Sequence, residues 1–345
     1  MPTTIAIDIR VLGTGKTSGV EEYTEQLLAH MIPLDPEAQY KLFYAGRRPL
    51  VRRPWMNAPN VQMFDTSRSN RWLWATTRLV GRPHLDELVG GADVFFLPHF
   101  LAGATSARCR RILTIHDLSF ERFPEFFSRR SLWWHRFQMR PRVQVQLADQ
   151  IIAVSESTRK DLVSLYHVDP DQVTTVYSGV SPLLKRSSDQ EIAHFRRQHQ
   201  LPEQFILMLG ARDPRKNRGV VATAAKILGM PLITHEVAPN ERTLWLSAAS
   251  ALAYPSFFEG FGFPPLEAMA CGTPALVGAN SSMMEVCNDA ALAVNPYRIS
   301  EVSEALAALL NDQALRQVLI ARGYERVKQF SWDITAKRTL ELLTK

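Results

Sequence analysis

The chain has 345 residues, enough for two domains of ordinary size, and 46% of them are hydrophobic, as in globular proteins with a sizeable core. Its net charge of +6 favours an anionic partner such as a nucleotide, a phospholipid or a nucleic acid, without deciding among them. The three cysteines include no Cys-x-x-Cys pair, which excludes a disulfide framework and a cysteine zinc site and indicates a reducing compartment. A strand pattern starts at Thr3 without a charged leader, and no apolar run approaches the roughly 20 residues that span a bilayer, so a cytoplasmic protein is expected.

Short apolar runs alternate with amphipathic segments along the chain, which predicts parallel sheets covered by helices on both faces. In the first half, strands are predicted at 5–9, 40–44, 94–97, 111–115, 150–154 and 173–177. A polar stretch at 181–204 marks a domain boundary, and a second α/β unit follows, with strands at 205–209, 232–234, 251–254 and 289–294 and helices near 218–228, at 240–249 and from 299 onwards. The fold class is therefore α/β, with two Rossmann-like doubly wound domains facing each other across a cleft. Ligands of such sheets bind at the carboxyl ends of the strands.

The most informative segment is 255–274, which reads Pro-Ser-Phe-Phe-Glu-Gly-Phe-Gly-Phe-Pro-Pro-Leu-Glu-Ala-Met-Ala-Cys-Gly-Thr-Pro. A buried strand precedes it, so the pattern predicts a strand, a glycine turn and the start of a helix, where backbone N–H groups and the helix dipole suit a phosphate. Pro264 and Pro265 fit the first helical turn, and Glu267 is expected within that turn as well. Glu259 and Glu267 bracket the turn, and a carboxylate pair beside an anion site indicates a sugar attached to a diphosphate. Ordinary α/β connecting structure is the alternative.

Two further strand ends carry candidate residues. Arg215 and Lys216 follow the strand at 205–209 and could neutralise a diphosphate leaving group without a metal, with Arg212 as a weaker candidate. A solvated basic turn is the alternative. His116 and Asp117 follow the strand at 111–115, where the aspartate either fixes the imidazole tautomer or caps the loop.

Gly19 lies at a loop-to-helix junction after the first strand, where a small residue lets a ligand approach the backbone; a flexible loop is the alternative. The segments 71–82 and 128–142 mix tryptophan with arginine, which leaves binding to a membrane surface open beside a solvated face with core tryptophans. No cluster of histidine, cysteine and aspartate has metal-ligand spacing, and neither a Walker loop nor a Gly-x-Ser-x-Gly elbow is present.

The glutamate segment resembles the signature of the retaining glycosyltransferases of family 4, which have the GT-B fold. The likeness continues in order through the Gly19–Tyr23 helix start, Thr-Ile-His-Asp-Leu at 114–118, the segments 148–157 and 176–180, Asp-Pro-Arg-Lys-Asn at 213–217 and Phe-Ser-Trp at 330–332. It implies an N-terminal acceptor-side domain at 1–185, a C-terminal donor-side domain at 186–325 and a final helix at 326–345 that packs back on the first domain.

The resemblance also implies roles for the residues. Glu259, His116, Lys216 and Arg215 form the catalytic set: Glu259 contacts the donor sugar, His116 lies near the transferred sugar, and the two cations hold the diphosphate. Glu267 binds the ribose hydroxyls, and the donor-binding set also includes Gly260, Phe261, Gly262, Phe263, Leu266, Arg212 and Gly19. The departing phosphate takes the acceptor proton itself, so no metal or other cofactor is needed. The wording of 114–118 and 213–217 leans towards GDP-mannose as donor. The acceptor is a glycan or a lipid-linked glycan of the cell surface, peripheral membrane contact stays open, and nucleic acid is not a partner.

One departure from the family concerns the stretch between Asn217 and Ala251, which has room for only a helix, a short strand and a helix. The family normally fits another strand-helix unit there, and that unit usually helps to bind the base. The second domain is therefore expected to be compact, with an altered base pocket. A non-catalytic binding subunit and a sugar-nucleotide epimerase on the same two-domain plan remain as alternatives.

Overall fold

The computed structural model describes residues 2–13, 18–46, 48–66, 69–234 and 236–345. Its internal contacts divide the chain into two compact units, one formed by Met1–Gly179 with Trp332–Lys345 and the other by Val180–Ser331. We call them unit 1 and unit 2.

Unit 1 is built on a seven-stranded sheet in which every described pair of neighbouring strands is parallel. The strands are β1 Thr4–Asp8, β2 Gln39–Tyr44, β3 Val61–Asp65, β4 Val94–Leu97, β5 Arg110–Ile115, β6 Gln150–Ala153 and β7 Val173–Thr175. Their order is β3-β2-β1-β4-β5-β6-β7, and the central strands are apolar and almost completely buried, as expected of a sheet covered on both faces.

The helices of unit 1 before the chain enters unit 2 are α1 Gly19–Leu34, α2 Asn70–Val80, α3 Leu85–Leu88, α4 Ser119–Arg122, α5 Arg129–Trp133, α6 Pro141–Gln146 and α7 Glu156–Tyr166. A π-helical segment, Trp134–Met139, joins α5 to α6. One core cluster of this unit lies on a single face of the sheet and includes Phe43, Phe95, Leu113 and Ile151.

Unit 2 has a smaller parallel sheet of five strands in the order β12-β11-β10-β8-β9. The strands are β8 Ile206–Leu207, β9 Leu232–Ile233, β10 Ala251–Tyr254, β11 Ala275–Gly278 and β12 Leu292–Val294. The helices are α8 Asp189–Gln198, α9 Arg218–Ile227, α10 Arg242–Ala248, α11 Phe263–Ala270, α12 Met283–Cys287, α13 Ile299–Asn311 and α14 Gln313–Val327. Its core contains Met208, Val221, Leu276 and Leu306.

The chain returns to unit 1 for its last helix, α15 Trp332–Thr344, which packs against α1. The Trp332 ring contacts the Tyr23 ring of α1 edge-on at 5.8 Å, and the Thr335 hydroxyl donates to the carbonyl of Tyr177 at 2.8 Å. By their contacts, residues 180–185 belong to unit 2, whereas the predicted boundary at 185 assigned them to the first domain; the Val180 N–H donates to the carbonyl of Phe330 at 2.9 Å.

Two strands were not predicted from the sequence. β3 lies at the sheet edge and is only partly buried, so it lacks the continuous apolar run of its neighbours. β11 has four residues and follows a Gly-Thr-Pro turn, so its pattern is too short to stand out. In the described part of the stretch between Asn217 and Ala251, the structure has α9, the two-residue strand β9 and α10, with one 3₁₀ turn at Pro239–Glu241. The prediction of a shortened second domain is confirmed.

Candidate active site

Three side chains of unit 2 meet at the carboxyl end of β10. The Lys216 ammonium donates to Glu259 Oε1 at 2.5 Å and to the Tyr254 hydroxyl, and it lies 4.4 Å from the centroid of the Tyr254 ring. The side chains of Lys216 and Glu259 are only 13% and 10% exposed, so their ion pair is largely desolvated. Two residues predicted from separate segments therefore form one cluster, which we call the Lys216 cluster.

Tyr254 is a member of the Lys216 cluster that the sequence analysis used only as the end of a strand. Burial raises its pKa well above the usual value, and the charge of Glu259 and the hydrogen bond to it raise the pKa further. The phenol is therefore neutral at physiological pH. Its place as the last residue of a buried parallel strand was the signal that could have identified it.

The glycine turn after Glu259 is held in one shape by two serines. The Ser282 hydroxyl lies 3.0 Å from the carbonyl oxygen of Glu259 and 2.9 Å from that of Phe261, so both accept from it. The Glu259 N–H donates to Ser281 Oγ at 3.0 Å. Gly262 has φ +97°, and a Cβ there would lie 2.0 Å from the terminal carbon of Met283. The turn at 260–263 is thus fixed before any ligand arrives.

The helix after this turn, α11, begins at Phe263 with Gly262 as its N-cap. Glu267 is its fifth residue, so the expectation that Glu267 lies in the first turn was wrong: the helix already begins at Phe263, directly after the left-handed Gly262. Pro264 and Pro265 have no N–H, so the anion-binding contribution of this helix start depends more on its dipole and on neighbouring cations. The Leu266 side chain is fully buried, which leaves only its backbone for contact with a ligand.

Glu267 is also almost completely buried, and its Oε1 accepts from the Arg242 guanidinium at 2.9 Å. Arg242 is the first residue of α10, and its side chain is 31% exposed. Arg242 was not predicted as a site residue, because nothing local in the sequence connects it to a carboxylate 25 residues away. Arg242 neutralises Glu267 and covers it on one side.

Arg215 is held by Asp213, the cap of the short turn Pro214–Lys216. The Arg215 Nη2 donates to Asp213 Oδ2 at 2.6 Å, and its Nε lies 3.1 Å from both oxygens of that carboxylate. Burial alone would raise the pKa of Asp213, but the hydrogen bonds and charge of Arg215 outweigh it and lower that pKa. The Phe257 N–H donates to the Arg215 carbonyl at 2.8 Å, which joins the basic turn to the glutamate segment.

Arg212 is not joined to this group. Its side chain is 83% exposed, and its guanidinium pairs with Glu236 at 2.8 Å. Such an exposed pair contributes little to stability.

The site residues predicted in unit 1 lie where a strand ends or a helix begins. His116 directly follows β5, and its Nε2 lies 2.8 Å from the carbonyl oxygen of Pro98. Burial lowers the pKa of His116, although the Pro98 hydrogen bond and the charge of Asp117 partly oppose it. The imidazole is therefore neutral near pH 7, with its proton on Nε2 facing the carbonyl and Nδ1 left as an acceptor.

Asp117 caps the loop that follows β5. Its Oδ1 accepts from the N–H of Ser119 at 2.9 Å and from the hydroxyl of Ser119 at 2.6 Å. Gly19 is the exposed first residue of α1, and the Ser18 hydroxyl caps that helix by accepting from Glu21 N–H at 3.2 Å. Residues 14–17, which precede this cap, lie outside the described part of the chain.

The chemistry available in unit 2 is the neutralisation of an anion by fixed cations. Among the residues that the structure describes, no three His, Cys, Asp or Glu side chains are grouped so as to hold a metal ion. Lys216 and Arg215 are positioned by their carboxylate partners, and such preorganised charges stabilise a leaving group that gains negative charge.

Comparisons with known proteins agree with this architecture. The model of the family described as "Glycosyltransferase Family 4" matches residues 17–182, and that of "Glycosyl transferases group 1" matches residues 233–326. The O-antigen chain mannosyltransferase B of Escherichia coli is 28% identical over 333 residues, which cover 87% of this chain and 81% of that protein.

Solved structures show the same fold. Sucrose-phosphate synthase of Thermosynechococcus elongatus has a TM-score of 0.71 at 17% identity, covering 99% of this chain and 98% of that one. Anabaena HepE in complex with UDP-glucose has a TM-score of 0.70 at 17% identity, covering 99% of both chains. The chain has the GT-B fold and resembles the glycosyltransferases of family 4. It is a nucleotide-sugar-dependent glycosyltransferase.

Proposed function

We propose that this glycosyltransferase transfers mannose from GDP-mannose, with retention and without an essential metal, to a glycan or lipid-linked glycan of the lipopolysaccharide type. The name of the Escherichia coli relative, an O-antigen chain mannosyltransferase, supports the sugar and the class of acceptor. The observation that carries the proposal is the desolvated Lys216–Glu259 pair at the carboxyl end of β10. A parallel α/β sheet binds ligands at this edge.

In this mechanism the cations act on the diphosphate. Lys216 and Arg215 oppose the charge that develops on the leaving group, and Arg215 exchanges part of its contact with Asp213 for the phosphate oxygens. Glu259 accepts hydrogen bonds from hydroxyls of the donor sugar, and its pairing with Lys216 keeps its orientation fixed. The neutral His116 offers Nδ1 as a hydrogen-bond acceptor to the transferred sugar. The acceptor proton passes to the departing phosphate.

Glu267 is proposed to bind the ribose hydroxyls, and Arg242 controls access to it. The Glu267 carboxylate is 2% exposed and bonded to Arg242, so a ribose reaches it only when the Arg242 side chain moves aside. The 31% exposure of that side chain gives it room to move. The compact stretch 218–248 supplies few other elements for the base, so donor affinity depends strongly on the phosphate and sugar contacts.

We also propose peripheral contact with the cytoplasmic face of an anionic membrane. Within the described residues, no helix is both long enough and apolar enough to cross a bilayer. The two tryptophan-arginine segments expose apolar side chains: Leu79 is 82% exposed, Trp133 is 52% exposed and Phe137 is 51% exposed. Arginines flank these side chains, which favours an anionic interface.

The donor is tested first by thermal shift with GDP, UDP and ADP and with their mannose or glucose conjugates in a buffer containing EDTA. A ligand that binds only the folded protein raises its melting temperature, so we expect GDP and GDP-mannose to give the largest rise. If another nucleotide gave a larger rise in melting temperature, its sugar conjugate would replace GDP-mannose as the proposed donor. No rise with any of them would favour a non-catalytic subunit with a lost base pocket.

The reaction is then tested by incubating GDP-mannose with lipid-linked O-antigen acceptors and determining the anomeric configuration of the product by NMR. Retention means that the α-mannosyl donor gives an α-linked product, and a β-linked product would refute it. Donor consumed in the absence of any acceptor would favour the epimerase alternative. Co-sedimentation with vesicles of phosphatidylglycerol, with phosphatidylcholine as control, tests the membrane contact; equal binding to both would contradict an electrostatic interface.

A further inference from the structure

A cavity of about 520 Å³ lies within unit 1 at the amino end of β5. It is enclosed by the second residue of β5, the segment 102–107, one face of α2 and the turn between the π-helical segment and α6. His116 follows the other end of β5, and a strand of six residues is roughly 20 Å long. The cavity therefore lies towards the amino ends of the strands, whereas His116 lies at the carboxyl end of β5. Its volume is in the range of small-molecule sites.

The innermost cavity residue is Arg111, which is 1% exposed. Its guanidinium donates to the carbonyl of Gly103 at 2.9 Å and to the side-chain oxygen of Gln144, and both acceptors are neutral. Its Nε–H has no hydrogen-bond partner, and no ion pair among the described residues includes Arg111. Asp149, which also lines the cavity, accepts from the backbone N–H of Arg111 at 2.7 Å.

A buried charge without a paired counter-charge is unfavourable by several kcal/mol. Burial lowers the pKa of Arg111 to about 10, so the guanidinium is still charged at neutral pH. Its charge is thus opposed only by dipoles and by more distant carboxylates. An anion in the adjoining cavity would supply the missing counter-charge.

Two more arginines stand at the cavity mouth. Arg78 of α2 is exposed, donates to the carbonyl of Phe137 at 3.3 Å and lies 5.9 Å from the centroid of the Trp74 ring. Arg140 is exposed and has φ +49°, and its side chain has no hydrogen bond or ion pair with the rest of the described chain. Three guanidinium groups therefore line a single cavity.

The cavity is also lined by polar side chains, among them Thr77, His84 and Asp149, and part of its wall is apolar. Trp74 and Met139 lie on it, and Leu147, which is 55% exposed, stands at its border. An inorganic anion alone would leave this wall in contact with water. The combination of arginines and an apolar wall fits an anion that carries a hydrocarbon chain.

We propose that this cavity binds an amphipathic phosphate, with the phosphate on the three arginines and the hydrocarbon part on Trp74, Met139 and Leu147. The same chemistry is offered by a lipid headgroup in a bilayer and by a free alkyl phosphate. The proposal is independent of the donor assignment, because no cavity residue belongs to the Lys216 cluster.

Calorimetric titration with hexyl phosphate tests the chemistry, with inorganic phosphate and hexylammonium as reference ligands in a chloride buffer. Hexyl phosphate is expected to bind at least tenfold more tightly than inorganic phosphate, and hexylammonium is expected not to bind. Equal affinity for hexyl phosphate and inorganic phosphate would show that the apolar part of the cavity wall does not bind the hydrocarbon chain. No saturable binding of hexyl phosphate would overturn the proposal as a whole.

The site is tested with the double variant Arg78→Gln/Arg140→Gln, because both side chains are exposed and their replacement leaves the core intact. The matched control is Arg52→Gln/Arg338→Gln, which removes the same charge from exposed positions of unit 1 outside the cavity and outside the two tryptophan-arginine segments. At least a tenfold loss of hexyl phosphate affinity in the first variant and none in the control supports the site. Equal losses in both would assign the binding to general surface charge and contradict it.

The source of the phosphate is distinguished with vesicles that contain phosphatidic acid. Vesicle binding that is weakened by the cavity variant and kept by the control identifies a lipid headgroup. If the protein binds hexyl phosphate but the cavity variant and the control bind the vesicles equally well, the ligand is a free alkyl phosphate. Either result supports the cavity as an amphipathic phosphate site.

Discussion

The Lys216 cluster of unit 2 and the Arg111 cavity of unit 1 both remove a cation from water, but they treat its charge differently. Lys216 has a carboxylate at 2.5 Å and a tyrosine hydroxyl as partners. Arg111 has only neutral acceptors on its guanidinium. The first cation is neutralised before a ligand arrives, whereas the second is left for a ligand to neutralise.

A site whose cation is already paired holds its side chains in a fixed orientation, whereas a site whose cation is unpaired attracts an anion. A preformed ion pair fixes the geometry of Lys216 and Glu259, which suits catalysis, but it weakens the net attraction for an anion. An unneutralised guanidinium attracts an anion strongly but destabilises the empty protein. The following variants change one side of this comparison at a time.

The largest effect is expected from the loss of the Lys216 charge in catalysis. Lys216→Met should lower kcat/KM by about 100- to 1000-fold, the usual effect of removing one preorganised group that stabilises transition-state charge. Steady-state transfer assays with GDP-mannose measure it. The matched control is Lys328→Met, which breaks the exposed Lys328–Glu325 pair of unit 2. Comparable activity of the two variants would remove Lys216 from the active site.

The ion pair itself is tested by a stability cycle. Lys216→Met leaves Glu259 buried without its cation and should destabilise the protein by about 3 kcal/mol, while the double variant with Glu259→Gln should recover most of that loss. Urea denaturation measures the four proteins of the cycle. The same cycle on Lys328 and Glu325 should show less than about 1 kcal/mol throughout, because that pair is exposed. Additive losses at Lys216 and Glu259 would mean that they are not coupled.

His99 is a third buried basic residue beside Lys216 and Arg111, and it stays neutral. Burial lowers its pKa to about 3, and the charges of His116 and His135 add to this. Its folded pKa lies below the unfolded value of about 6.5, so stability is lost as pH falls from 6.5 towards 3. His99→Gln should reduce the slope of unfolding free energy against pH between 6 and 4 by about 1.4 kcal/mol per pH unit.

Urea denaturation at several pH values measures that slope. The matched control is the same substitution at an exposed histidine, His194→Gln. If His99→Gln and the parent protein have the same slope, His99 is not held neutral by its surroundings.

The smallest effect concerns Arg140, whose φ of +49° is unfavourable for a residue with a Cβ. Arg140→Gly should stabilise the protein by about 0.5 kcal/mol while it weakens hexyl phosphate binding. Gln200 has the same φ and is exposed in unit 2, so Gln200→Gly should give a similar stabilisation without the loss of binding. Calorimetric melts and titrations of the two variants make the comparison; an unchanged affinity in Arg140→Gly would weaken the cavity proposal.

The sequence predicted the parts of the fold and the site that depend on local pattern. Buried parallel strands have continuous apolar runs, and Lys216 and Glu259 lie in the segments that follow two of them, β8 and β10. β3 and β11 were missed because one is half exposed and the other has four residues. Glu267 was placed one helical turn too early because the left-handed backbone of Gly262 that starts α11 is not visible in composition.

Partners that are distant in the chain could not be predicted. The contact of Glu267 with Arg242 spans 25 residues, and that of Lys216 with Glu259 spans 43. The segments 71–82 and 128–142 were identified by their tryptophans and arginines, but nothing in either segment shows that both would lie beside Arg111. Such contacts arise from the packing of whole elements, which a single sequence without its fold does not specify.

The return of the chain to unit 1 for α15 has a consequence for synthesis on the ribosome. Unit 2 is continuous in sequence, so all of it has emerged before α15 reaches α1. Until then, Trp332 does not cover the surface of α1. Unit 2 has its whole sequence available for folding earlier than unit 1 does. The surface of α1 that α15 covers is therefore the last part of unit 1 to be completed during synthesis.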